Sequence, residues 1–105
     1  MNNKIDIEPR FLDRLKEILT EYVPDAEVWA YGSRVVGGGH DMSDLDIVLR
    51  NPGYPDRPQG NVAALREALT ESSIPILVDV LDWARIPESF RDEISRAYVV
   101  IRRPY

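Results

Sequence analysis

The chain has 105 residues, which suits one domain and not two. Apolar residues make up 44% and charged residues 30%, and 13 Lys and Arg against 18 Asp and Glu leave a formal net charge of −5. The absence of cysteine excludes disulfides and thiolate metal sites, a single histidine excludes a histidine-rich zinc site, and the acidic balance disfavours nonspecific binding to nucleic-acid phosphates.

A helix is predicted over Glu8–Tyr22. Phe11, Leu12, Leu15, Ile18, Leu19 and Tyr22 recur at helical spacing, and Asp13, Arg14, Lys16, Glu17 and Glu21 fill the other face. Pro9 suits a first turn, and Pro24 ends the run. Val28–Tyr31 reads as a short strand running into Gly32-Ser33, with room for only a helical turn or two before a turn at Gly37–Gly39. Asp44–Leu49 reads as a second strand, with Leu45, Ile47 and Leu49 on one face and Asp44, Asp46 and Val48 on the other.

Asn51–Gly60, with three prolines and two glycines, is an extended surface loop. Asn61–Ser72 is a helix with Val62, Leu65 and Leu69 along one stripe and Asn61 as N-cap. The apolar run Ile76–Leu81 around Asp79 suggests a buried strand. A last helix is predicted from Pro87, because Phe90, Ile94, Ala97, Tyr98 and Ile101 keep helical spacing; the β-branched Val99-Val100-Ile101 leaves its end open. The order implies an α/β (α+β) domain, a small mixed sheet with flanking helices, and Trp29, Trp83, Phe11 and Phe90 in the core. No apolar run approaches the roughly 18 residues that span a bilayer, and the N-terminus resembles no signal peptide, so a cytoplasmic protein is expected.

The chemistry concentrates between Gly32 and Asp79. Asp44 and Asp46 are two apart on a strand, so both carboxylates leave the same face, where they repel unless a hard divalent cation such as Mg²⁺ takes their oxygens. Asp79 sits among apolar neighbours, where a carboxylate is costly unless paired or metal-bound. If the two strands are neighbours, three carboxylates converge into the ligand set of a two-metal phosphoryl-transfer site. Gly32 lets the backbone come close to a ligand, Ser33 adds a hydroxyl, and Arg34 either clamps a phosphate or lies on the surface. Asp82 has the opposite parity to Asp79, which points to capping or solvation. His40, Asp41 and Ser43 read as loop polarity, and the triple glycine lacks the Gly-Lys-Ser/Thr ending of a P-loop.

Gly32-Ser33, ten intervening residues and Asp44-x-Asp46 resemble the GSx10DxD signature of the nucleotidyltransferase superfamily that includes DNA polymerase β. Asp79 in Val78-Asp79-Val80 is similar to the third carboxylate of that superfamily. The resemblance implies a polymerase β-like fold and, given the short length, one minimal nucleotidyltransferase (MNT) domain over residues 1–105. Members of that class are paired with a small helical HEPN protein, a toxic ribonuclease, and act as antitoxins by transferring AMP from ATP to a tyrosine of that partner.

The resemblance also implies two Mg²⁺ ions held by Asp44, Asp46 and Asp79, with Asp79 helping to deprotonate the acceptor hydroxyl. Gly32, Ser33 and Arg34 would bind the nucleotide. A HEPN partner would meet the Asn51–Gly60 loop and Arg102-Arg103-Pro104-Tyr105, with neither a membrane nor stable nucleic-acid binding involved. Two other readings stay open: a non-catalytic antitoxin that works by occlusion, and nucleotidyl transfer to a small molecule or RNA.

Overall fold

The structure, a computed structural model, describes residues 5–36 and 44–104. Helix α1 spans Pro9–Tyr22 and buries Leu15, Ile18 and Leu19. Pro9 opens it, where a missing N–H costs nothing, and the Val23 amide closes it on the Leu19 carbonyl. Strand β1 (Glu27–Tyr31), the short α2 (Ser33–Val36), β2 (Leu45–Arg50), α3 (Val62–Glu71) and β3 (Val78–Asp82) follow. A 3-10 turn at Trp83–Arg85 then leads to α4 (Glu88–Ser95) and β4 (Val99–Arg102).

The four strands form one mixed sheet in the order β3-β2-β1-β4. β1 runs antiparallel to β2 and β4, whereas β2 and β3 are parallel, and α3 supplies the crossover that a parallel pair requires. Alternation along the strands sorts the core onto two faces. On one, Val28, Ala30, Leu45, Ile47, Leu49 and Val80 meet Leu15 and Leu19 of α1 and Leu65 of α3. On the other, Trp29 and Val48 meet Trp83 and Ile94, with Tyr31 and Phe90 packed alongside. Each fully buried Leu or Ile stabilises the fold by roughly 1.5–3 kcal/mol, so the α1–α3 face carries the larger share.

Three expectations are corrected and a fourth is refined. The last helix stops at Ser95, and Val99–Arg102 is a strand on the β1 edge, because β-branched side chains lose rotamer freedom in a helix and pack well on a pleated surface. The run Ile76–Leu81 is not a buried strand: β3 ends the sheet, Asp79 is exposed and Leu77 is 62% exposed. An Arg66 guanidinium on α3 donates to the Val80 carbonyl at 2.7 Å, occupying a backbone acceptor of this edge strand. Asn61 holds the N-cap position of α3, as expected, but makes no side-chain capping bond; its amide donates instead to the Tyr22 carbonyl at 2.8 Å, tying α3 to the end of α1. Trp29 and Trp83 are core residues and Phe90 borders that core, but Phe11 is half-buried beneath the Arg10 guanidinium, 4.7 Å from its ring centroid, outside both clusters.

The chain ends partly tied down. Arg102 donates to Thr20 Oγ1 and to the carbonyls of Pro24 and Ala26, and Arg103 lies 3.7 Å from Glu27. Arg102 is therefore engaged within the fold and not presented outward, while Tyr105 lies outside the described residues. Among the described residues no helix is long and apolar enough to cross a membrane.

Candidate active site

β1 delivers Tyr31 and then Gly32 to the end of the sheet where β2 begins. Gly32 has φ +84°, the left-handed region, and a Cβ built on it would lie 2.5 Å from Asp46 Oδ2. A side chain there would strain the backbone and push the Asp46 carboxylate aside, so that carboxylate comes directly against bare backbone. Ser33 then opens α2, whose first turn closes with the Val35 amide on the Gly32 carbonyl at 3.0 Å.

The strand register builds the rest. Tyr31 of β1 stands opposite Asp46 of β2, and Asp46 stands level with Asp79 of β3. Three neighbouring strands thus place a phenol and two carboxylates in one row, on the face that carries Trp29 and Val48. Asp44, exposed just before β2, is two residues from Asp46 and has the same parity. Burial and mutual repulsion both act on this row. Burial, then the charges of Asp79 and Asp44, raise the Asp46 carboxyl above its ordinary range. Burial, then Asp46 and Asp79, push the Tyr31 phenol up as well, so it stays protonated.

Asp44, Asp46 and Asp79 approach one another without closing into a cage: among the described residues no three His, Cys, Asp or Glu side chains form a group that could hold a metal by themselves. The donor set still fits Mg²⁺, which is usually bound through one or two carboxylates and completed by substrate phosphates and water. Two hard anionic ligands side by side, one of them disfavoured first by burial and then by its neighbours' charge, match that requirement.

Arg34 is neither a surface residue nor remote from the turn it follows. It is 7% exposed, its Nη1 donates to the Asp6 carbonyl at 2.6 Å, and its own carbonyl accepts from the Asp6 amide at 2.7 Å. Asp82 caps, as its parity suggests, but it is buried and not solvated. It accepts from the Ala84 amide at 3.3 Å and the Gln59 amide at 2.9 Å, with Arg85 at 3.4 Å, and so fixes the 51–60 loop to the 3-10 turn. A cleft of about 330 Å³ lined by Gln59, Arg66, Asp82 and Arg85 lies at that end of β3 and includes neither Asp46 nor Asp79. His40, Asp41, Ser43 and the glycine turn at Gly37–Gly39 lie outside the described residues. The motifs do not include Tyr31; its place directly before Gly32 is the one sequence signal for it, and the register with Asp46 supplies the rest.

Residues 2–100 match the family of the central palm domain of mitochondrial-like poly(A) RNA polymerases. A Haemophilus influenzae protein named "Probable protein adenylyltransferase MntA" is 43% identical over 101 residues, which cover 94% of this chain and 85% of that protein. A crystal structure of a toxin–antitoxin with AMP-PNP shares the fold, with a TM-score of 0.71 over 88% of this chain and 73% of its own, at 19% identity. With Gly32 against Asp46 and Asp79 in register beside it, the chain belongs to the palm-domain nucleotidyltransferase family, grouped with the adenylyltransferase MntA, and is an enzyme of that family.

Proposed function

We propose that this chain transfers AMP from ATP to a tyrosine hydroxyl of a HEPN-type toxin and thereby acts as its antitoxin. The observation that carries the reading is the row in which Asp46 and Asp79 stand level across β2 and β3, with the Gly32 backbone against Asp46. The names of the relatives, an adenylyltransferase and a toxin–antitoxin bound to AMP-PNP, support the donor and the kind of partner. On this reading residues 1–105 are one minimal nucleotidyltransferase domain working in the cytoplasm, with no membrane and no stably bound nucleic acid.

Asp44, Asp46 and Asp79 would hold two Mg²⁺ ions, whose chemistry is to neutralise the charge that develops on the phosphoryl oxygens. Gly32 gives the triphosphate an approach to bare backbone, and Ser33 adds a hydroxyl donor. Arg34 contributes positive charge from its buried position and steadies the turn through Asp6. Asp79, exposed on the edge strand, is open to an incoming hydroxyl and takes its proton. The acceptor oxygen forms its bond to the α-phosphorus as the bond to the bridging oxygen breaks, and pyrophosphate leaves.

The test is mass spectrometry of a HEPN partner incubated with ATP, Mg²⁺ and either the wild-type chain or the Asp44→Asn/Asp46→Asn double variant. Wild type should add one or more AMP units to a tyrosine, and the double variant none, a loss of several orders of magnitude. A double variant that protects cells as well as wild type does would replace catalysis by occlusion. Labelling of RNA or a small molecule with the partner left unmodified would move the acceptor.

A further inference from the structure

Tyr31 is the member of the row that the proposed chemistry leaves unused. It faces Asp46 across the β1–β2 pairing, and Asp46 in turn stands level with Asp79, so the phenol shares their face of the sheet. Phe90 of α4 meets the half-buried ring edge-on, with centroids 5.9 Å apart at 85°, which braces it from the helix side. No hydrogen bond joins the Tyr31 hydroxyl to another described residue. A braced donor beside Asp46, with no hydrogen-bond partner among the described residues, is spare capacity for a ligand.

The chemistry selects that ligand. A phenol donates without bringing negative charge of its own, and anionic oxygens are the acceptors with which it bonds most strongly. We propose that Tyr31 is a substrate-binding residue, its hydroxyl donating to a phosphoryl oxygen of the nucleoside triphosphate held beside Asp46 and Asp79. This inference rests on the nucleotidyl-transfer reading of the site and extends it to a residue outside the Gly-Ser and Asp-x-Asp motifs.

The experiment is calorimetric titration of the full chain with magnesium AMP-PNP, comparing wild type, Tyr31→Phe, Phe90→Leu and Asp46→Asn, each checked by thermal melting. Tyr31→Phe keeps the ring and removes the donor, so binding should weaken about 10- to 100-fold while the melting temperature is held. Phe90→Leu disturbs the packing but keeps the hydroxyl, and its affinity should stay within threefold of wild type. A loss of less than fivefold in Tyr31→Phe, with Asp46→Asn still abolishing binding, overturns the assignment to Tyr31 and leaves the site standing. An equal loss in Phe90→Leu also overturns it, by tracing the effect to packing. Absence of binding by wild type overturns the nucleotide reading itself.

Discussion

Asp46 is held in a place that an isolated carboxylate would avoid. Its folded-state titration lies above the ordinary value of 3.8, mainly through burial and then through Asp79 and Asp44. A group raised in this way contributes stability only while protonated, and that contribution is lost as pH rises through the folded value. Asp46→Asn should therefore raise the Tm of the ligand-free protein at pH 7, with the gain over wild type shrinking as pH falls towards the ordinary carboxylate range. Melting curves of both proteins across pH 4–8, taken without nucleotide or divalent cation, check the sign. Gly32 answers to a different constraint. Gly32→Ala meets both the left-handed backbone and the Asp46 oxygen, so it should cost about 1–2 kcal/mol from the backbone alone, a fall of several degrees in Tm, and should displace the carboxylate. Nucleotide transfer should vanish with it; an alanine variant of undiminished activity would mean that the close approach does not matter.

At the level of strands and helices, the edge position of β3 makes a direct prediction. Leu49→Ala empties a fully buried position in the interior strand β2 and should cost about 2–5 kcal/mol, whereas Leu77→Ala, exposed just before the edge strand, should cost under about 0.5 kcal/mol. Urea unfolding of the two variants measures the difference. A buried strand, as the apolar run by itself suggests, would make the two losses similar. That run is ambiguous for a physical reason: apolar composition records that a segment packs on something, not whether one neighbour or two flank it.

The same limit hides β4, since the recurrence of Phe90, Ile94, Ala97, Tyr98 and Ile101 every three or four residues belongs partly to a helix and partly to a strand, and only the β-branched Val99-Val100-Ile101 betrays the change. By contrast, the alternation through Leu45–Leu49 is legible in the sequence, because a pleated strand places every second residue on one face whatever lies beside it. Tyr31 is not, because a partner across strands is fixed by register, which no single segment encodes.

Across the whole molecule, the acidic row and the native fold are linked through whatever binds the row. A ligand that binds only the folded chain stabilises it by about 2.7 kcal/mol at a hundredfold excess over Kd. Magnesium ATP should accordingly raise the Tm of wild type by several degrees at millimolar concentration, and Asp46→Asn or Asp79→Asn should remove most of that rise. An unchanged melt for wild type would argue against a nucleotide site at these carboxylates. A salt titration separates binding from general screening, since net charge −5 gives the chain a diffuse repulsion that simple electrolyte also relieves.

The clasp between Asp6 and Arg34 couples the leading segment of the chain to a turn 28 residues away. Amide and carbonyl of one residue are both tied to the other, so the start of the polypeptide works as a latch on the backbone that carries Gly32 and Ser33. Pulling that latch, by trimming through Asp6, removes both backbone ties that Asp6 makes to Arg34. The disturbance would be felt first at the glycine turn and only afterwards in the core. A trimmed protein that still melts cooperatively but takes up nucleotide poorly would show the latch at work.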